Sequence, residues 1–351
     1  MQGDSYKNGL LDAKRFKGDD EVQPFISEWL SDPEQAKIFY TWMREIDRNT
    51  GLDMVSDEFA SAAFVASSRT LPAWADVKLM ARGSGFFIRH ADVIMSLLGL
   101  LSLPYCYAAA EGAKVLYLTE RLRDRPAKRL LDTAEFVWDV MAPDAFEPEG
   151  KGFASCLKIR MTHALARHYV LKNSSWPAGS GLPVNQEDMA GTNLAFSLIV
   201  VRGLRKLGVA VSYEEQQSFM HLWNVIGFML GVDEDLLPAS GRSATLLENA
   251  IRQRHFRTSL EGRALTKSLL EHITIDPAMR LSPREIYQMM RFLLGDEVAD
   301  ILDIPKMPGI EYAPVLLKLI ANLPRLENSN LQLAYRERYL AFMKAKSASG
   351  V

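Results

Sequence analysis

Apolar residues along this chain recur at three- and four-residue spacing, and strict every-second-residue alternation is nearly absent. A half-buried strand has to alternate and an amphipathic helix has to show a 3.6-residue period, so the pattern sets the fold class as all-α. Helix-start signals agree. Asp32 before Pro33, and Ser282 before Pro283 with Glu285 further on, each place a capping acceptor ahead of a proline at the first helical position. Ser212 and Glu215 form another capping box, just after a Gly208 suited to closing the preceding helix. The expected helices lie at about 21–49 with a break near Asp32, then 56–68, 76–101, 104–121, 126–141, 153–172, 185–207, 213–231, 240–257, 259–274, 283–294, 311–321 and 326–345. Asn173–Pro183 and Ala142–Gly152, rich in Gly, Pro and Ser, are the clearest loops.

The chain has 351 residues, room for one large helical unit with appendages. Its organisation is read as a helical extension over 1–71, a core over 72–238 and further helices over 239–351 packed on that core. Basic and acidic residues number 41 and 43, so no net field draws the protein to nucleic acid. Cys106 and Cys156 lie far apart, outside any paired spacing, and are expected to be reduced, buried thiols. The N-terminal residues carry no secretory signal pattern, which makes the cytoplasm the expected location. The most apolar run, Val93 to Ala110, contains Pro104 and several small residues and falls short of a bilayer span. It is expected to be buried helix broken near Pro104, without stable membrane insertion.

The segment Phe153 to Leu171 carries the candidate chemistry. On a helix, Cys156, Arg160, His163, Arg167 and Val170 share one stripe among apolar neighbours, so the two guanidinium groups need anionic partners. Those partners are either carboxylates elsewhere in the chain, leaving His163 a core histidine, or the propionates of a haem whose iron His163 holds. Neighbouring positive charge favours the neutral imidazole, the form that donates a lone pair to a metal. His163 and His168 are five residues apart, roughly 140° around a helix, and cannot chelate one ion together. Without C-x-x-C-H or H-E-x-x-H, covalent haem attachment and the common zinc-hydrolase signature are excluded.

The sequence resembles the family of rubber oxygenases (latex clearing proteins) and MpaB-type oxygenases. The likeness rests on R-x-x-H-A-x-x-R at Arg160, His163, Ala164 and Arg167, then on LPVNQEDMAGT from Leu182 to Thr192, FSLIVVRGLRKLGV, and HLWNVIGFMLGV from His221 to Val232. Upstream, Pro72 to His90 and Arg129 to Met141 share it. The resemblance implies a globin-like helical core with additional flanking helices, a non-covalent haem b, and His163 as axial ligand to its iron. It also implies O₂-dependent cleavage of carbon–carbon double bonds in polyisoprenoids, giving carbonyl products. The expected partners are therefore O₂ and a hydrophobic, unsaturated, isoprenoid-like or lipid-like substrate.

On the distal side the family carries an Arg, a Lys and a Thr within one helical turn. Arg129 and Thr133 match, whereas Asp132 stands at the lysine position, removing the amine that caps the iron in the family's closed form. One helix face would then hold a cation, a hydroxyl and a carboxylate near bound dioxygen. Glu111 is the nearest candidate for the family's distal glutamate base. From the Leu182 to Thr192 motif, Asn185 is expected to cap a helix, and Asp188 and Thr192 are assigned to the cofactor site. Asp188 or a backbone carbonyl would accept the second ring N–H of His163. His90, His221, His255 and His272 have no partner spacing and are read as structural or surface residues. Beside the oxygenase, with peroxide-dependent oxidation at the same iron as its close variant, stand two rival functions: a haem sensor or carrier without turnover, and a metal-free helical interaction protein.

Overall fold

The computed structural model describes residues 6, 8–54, 62–119, 126–275, 281–308 and 330–348. Within these the chain is helical, with no strand; an isolated bridge pairs Ala109 with Phe256. The N-terminal helices are α1 (Asn8–Arg15), α2 (Val22–Trp29), α3 (Pro33–Glu45) and α4 (Ala63–Ser67). The expected helix from 21 does break at Asp32, whose carboxylate accepts from the Glu34 and Gln35 N–H groups and starts α3 at Pro33. Helix α1 was not among the expected helices.

Next come α5 (Val77–Leu97), α6 (Leu103–Tyr107) and α7 (Ala110–Leu118). The apolar run is not broken at Pro104. A π-turn, Leu98–Ser102, joins α5 to α6, with Leu103 N–H bonding the Leu98 carbonyl. Proline lacks the N–H that would bond one turn back, and the wider turn absorbs the mismatch. The continuous 31-residue stretch Val77–Tyr107 is long and apolar enough to cross a membrane, but 61% of its most apolar window is buried against the rest of the protein.

The centre of the molecule is α8 (Pro126–Met141), α9 (Gly152–Asn173), α10 (Gln186–Phe196), α11 (Leu198–Lys206) and α12 (Tyr213–Met229). A single helix over 185–207 was expected; Ser197 divides it, its backbone turned out of the helical region while its hydroxyl donates to Asn193 O. Asn185 and Ser212 cap α10 and α12 as expected, the latter in a full capping box. Helices α5 and α12 lie in close contact, and a Cβ at Gly83 would come within 2.6 Å of the Ser218 carbonyl. The remaining helices are α13 (Gly241–His255), α14 (Leu260–Ile275), α15 (Pro283–Leu294, with the Ser282 capping box), α16 (Asp296–Ile301) and α17 (Leu331–Ala348). The expected helix at 311–321 lies outside the described residues.

One apolar core runs through α2, α5, α8, α9 and α12, and a smaller one joins Leu11, Met189, Leu194, Leu247 and Ile251. The second core anchors α1 against α10 and α13. Residues 12–23, from the last turn of α1 to the first residues of α2, thereby lie as a strap across α9 and α10.

Candidate functional site

Helix α9 packs against α2 and α8, and its polar stripe divides between two destinations. Cys156, Arg160, Arg167 and Val170 are buried, whereas Ile159, His163 and Ala166 keep part of their surface accessible. At about 100° per residue, Arg160 and Arg167 lie within roughly 20° of each other, and His163 sits about 40–60° to one side. The arginines and the histidine therefore face different neighbours.

Both arginines are matched by the protein. Arg160 Nε donates to Asp19 Oδ2 at 2.6 Å, and its Nη2 donates to Asp19 Oδ1 at 3.0 Å and Glu21 Oε2 at 2.9 Å. Arg167 donates to Pro183 O (3.0 Å), Val184 O (2.6 Å) and Gln23 Oε1 (2.7 Å). Val184 adopts φ +52°, a left-handed conformation unfavourable for a β-branched residue, and its carbonyl accepts from Arg167. Gly231 (φ +86°) leaves room for the first pair, since a Cβ there would come within 2.5 Å of Asp19 Oδ2. The expectation that Arg160 and Arg167 face propionates is thus overturned: their demand for negative charge and carbonyl dipoles is met by the strap and the 183–184 turn.

His163 is the polar residue of the stripe that the protein does not satisfy. Among the described residues its buried Nδ1 has no hydrogen-bond partner. Burial first, then the charges of Arg167 and Arg129, push its pKa down to about 4, with Asp19 opposing. The ring is neutral at physiological pH. It is crowded deeply enough for desolvation to dominate, yet part of its surface remains accessible.

Arg129, in the first turn of α8, has the same combination of depth and residual accessibility. It makes no ion pair or hydrogen bond among the described residues. Burial lowers its pKa, and the titratable groups that offset this are Tyr107 and Cys106, not a carboxylate. The Tyr107 phenol and the Cys106 thiol are both pushed up to about 12 by burial and stay neutral. Among the described residues Arg129 is therefore a deep cation without an anion, near a neutral imidazole. Thr133, one turn further, is half-buried on α8.

Asp132 does not join them. Its carboxylate is exposed, 3.0 Å from Lys346 on α17 and 3.8 Å from Lys128, so the expected cation, hydroxyl and carboxylate on one face reduce to Arg129 and Thr133. The charged residues Glu120, Arg121, Arg123, Asp124 and Arg125 before α8 lie outside the described residues.

Glu111, Asp188 and Thr192 fall on the α7–α10 side. Asp188 is in contact with Arg15 and accepts from Asn185 Nδ2 at 2.9 Å; it is not a partner of His163. The Thr192 hydroxyl donates to Asp188 O at 3.0 Å and lies in hydrogen-bond reach of the Cys106 thiol. Glu111 is enclosed by Arg257, by Arg15 (3.8 Å) and by His255 Nδ1 (3.6 Å). The Ala109–Phe256 bridge and the Arg257 N–H to Ala108 O bond, 3.1 Å, hold these segments together. Arg15, Asp19, Glu187, His255 and Arg257 were missed from sequence. The run Asp19-Asp20-Glu21 was a usable signal, because buried arginines were known to require carboxylates; the pairing of His255 with Glu111, 144 positions away, left no local trace.

Among the described residues no three His, Cys, Asp or Glu side chains converge on a metal position. The donors that remain are a neutral imidazole with an unpartnered buried nitrogen and a guanidinium without a counter-ion. This set fits a group that brings its own equatorial ligands and negative charge, as an iron porphyrin does.

A family model described as ER-bound oxygenase mpaB/B'/Rubber oxygenase, catalytic domain, matches residues 89–322. A rubber oxygenase of Streptomyces sp. (strain K30) is 29% identical over 254 residues, covering 71% of this chain and 61% of that protein. The structure of latex clearing protein LCP in the closed state superposes with a TM-score of 0.76 at 25% identity, covering 93% of this chain and 91% of that one.

Proposed function

Because this chain belongs to the ER-bound oxygenase mpaB/B'/rubber oxygenase family, we propose that it is a haem b oxygenase acting on a hydrophobic, unsaturated, polyisoprene-like substrate. The observation that carries the reading is the juxtaposition on α8 and α9 of a neutral His163, its Nδ1 unpartnered, with Arg129, a deep cation that has no anionic partner among the described residues. Bound haem would supply the iron that activates O₂.

The chain's own residues supply the setting. His163 is held in its lone-pair-donating form by burial and by two nearby guanidinium charges. Arg129 offers a cation in a place poor in water, where it favours negative charge on the cofactor or on reduced oxygen. Tyr107 and Cys106, both held neutral by desolvation, are the titratable groups beside that cation among the described residues. Arg160 and Arg167 act at one remove, locking α9 to the strap and so fixing the helix that carries the histidine.

The test is an absorbance spectrum of protein produced with ample haem, ferric and ferrous, with and without carbon monoxide, for the parent and His163→Ala. A Soret band in the parent, lost or shifted in the variant, supports the site, and an unchanged variant rules it out. Carbonyl-ended fragments from polyisoprene in air, identified by mass spectrometry, establish the oxygenase; intact haem without such products indicates a carrier.

A further inference from the structure

The π-turn, α6, α11, α13, α15 and α16 surround a pocket of about 200 Å³ to which neither α8 nor α9 contributes a residue. One side of it is apolar, formed by the buried Leu101, Ile199, Leu293, Leu294 and Val298. Gly203 brings α11 against the π-turn there, since a Cβ would lie 2.7 Å from Leu101 Cδ2.

The other side is charged and built around Glu248, whose side chain is 4% exposed. Tyr105 OH donates to this carboxylate, Arg202 Nη1 donates to it at 2.7 Å, and Arg252 Nε lies 3.9 Å away. Arg202 Nη2 also donates to Thr245 Oγ1 at 3.1 Å, and Arg252 Nη1 to Glu297 Oε2 at 3.0 Å. Lys206 has no carboxylate among the described residues. Its Nζ donates to Leu293 O at 2.8 Å and Phe292 O at 3.3 Å, at the C-terminal end of α15.

Positive charge is therefore in excess. Three cations, Arg202, Lys206 and Arg252, meet two carboxylates, Glu248 and Glu297, and the surplus falls on Lys206. Burial and then the charge of Arg202 hold the Lys206 amine below the usual lysine range. Capping α15 accounts for two of its bonds but does not neutralise it. Donors are in excess as well. A guanidinium has five N–H groups and an ammonium three; among the described residues Arg202 makes two hydrogen bonds, Arg252 one and Lys206 two. Unused donors on one side of a pocket suit an oxyanion, and an apolar wall on the other suits a hydrocarbon chain.

We infer that this pocket binds a small amphiphilic monoanion, a carboxylate with a hydrocarbon tail, its head at Lys206 and Arg202 and its tail along Leu293, Leu294 and Val298. The volume sets the size. About 200 Å³ is less than the roughly 300–1,000 Å³ of pockets for drug-sized ligands, so the tail is a short chain and not a polymer. The single surplus charge sets the valence, because a monocarboxylate cancels it and a phosphate dianion would overshoot. Nothing in the pocket depends on haem, and the assignment stands or falls apart from the oxygenase reading.

The probe is octanoate, titrated calorimetrically into the full-length protein as purified, with octanol as a tail without charge and inorganic phosphate as charge without a tail. Octanoate should bind at one site, more weakly as salt is added, and raise the thermal midpoint with its concentration. Octanol and phosphate should each bind at least about tenfold more weakly, and Lys206→Met should cost octanoate about tenfold or more. Asn249→Trp fills the pocket from a side chain that lines it and makes no hydrogen bond among the described residues, so it keeps every ion pair and should abolish binding. That variant carries the test should Lys206→Met fold poorly. The proposal is overturned if octanoate fails to bind the parent, or binds either folded variant with the parent's affinity. It is equally overturned if octanol or phosphate matches octanoate, which would leave a merely apolar cavity or a site for any anion.

Discussion

Arg160 and Asp19 are joined by two hydrogen bonds, 2.6 and 3.0 Å long, between a helix of the central core and a residue near the start of the chain. Both side chains are buried. The pair is therefore a fastening whose loss strands a charge. Asp19→Ala should destabilise the protein by about 3 kcal/mol, the usual scale for removing one member of a buried ion pair. Glu21→Ala, on the same guanidinium but solvent-exposed, should cost under about 1 kcal/mol. Urea denaturation of both variants checks the order, and equal effects would contradict it.

Arg129 should behave in the opposite way. Among the described residues it is a desolvated cation without an anion, so Arg129→Met should leave the haem-free protein as stable as the parent or about 1 kcal/mol more stable. The same substitution should lower polyisoprene turnover roughly 100-fold, with Arg129→Lys recovering part of it at most. A variant that loses stability and keeps activity would show that the guanidinium is structural.

Histidine 163 sets a pH window. Its pKa is 6.5 unperturbed and about 4 in the folded chain, so the unfolded state binds the proton more readily. Stability should be full above about pH 6.5 and decline as the pH falls towards 4, by up to roughly 3 kcal/mol from this group alone. Urea midpoints of haem-free parent and His163→Gln at pH 7, 5.5 and 4.5 isolate that share, since the other titrating groups are common to both. A difference between the two proteins that stays constant with pH would refute the assignment.

Asp132 lies outside the site although it occupies the lysine position. Asp132→Lys should not create an amine ligand, because the side chain at this position points towards Lys346 and Lys128. The expected result is an unchanged Soret spectrum and a loss of no more than about 1 kcal/mol from an exposed ion pair. A new six-coordinate spectrum in the variant would show that α8 turns when haem binds.

Periodicity and caps made the helical class legible, and the caps at Asp32, Asn185, Ser212 and Ser282 sit where their local chemistry put them. The π-turn before Pro104 was not legible, because a proline reads as a break unless a neighbouring helix rewards continuity; here Ser102 Oγ donates across to Ala195 O at 2.8 Å. At the site, sequence singled out His163 and identified the need for negative charge around Arg160 and Arg167. It could not say which anion answers, since residues three and four apart on a helix share a ridge without sharing a target. The Glu111, His255 and Glu187 grouping depends on a bridge between positions 109 and 256 and leaves no pattern in either segment alone.

The strap over residues 12–23 has a practical side. A shortened version of the protein that starts beyond Glu21 would leave two interior guanidiniums facing vacated space, Arg160 without either of its acids and Arg167 beside a raw chain end at Gln23. It would also take Arg15 from Glu111. What looks like a disposable segment is thus the counterpart that two interior arginines are bonded to, and expression boundaries set by the family match alone, which begins at residue 89, would cut it away.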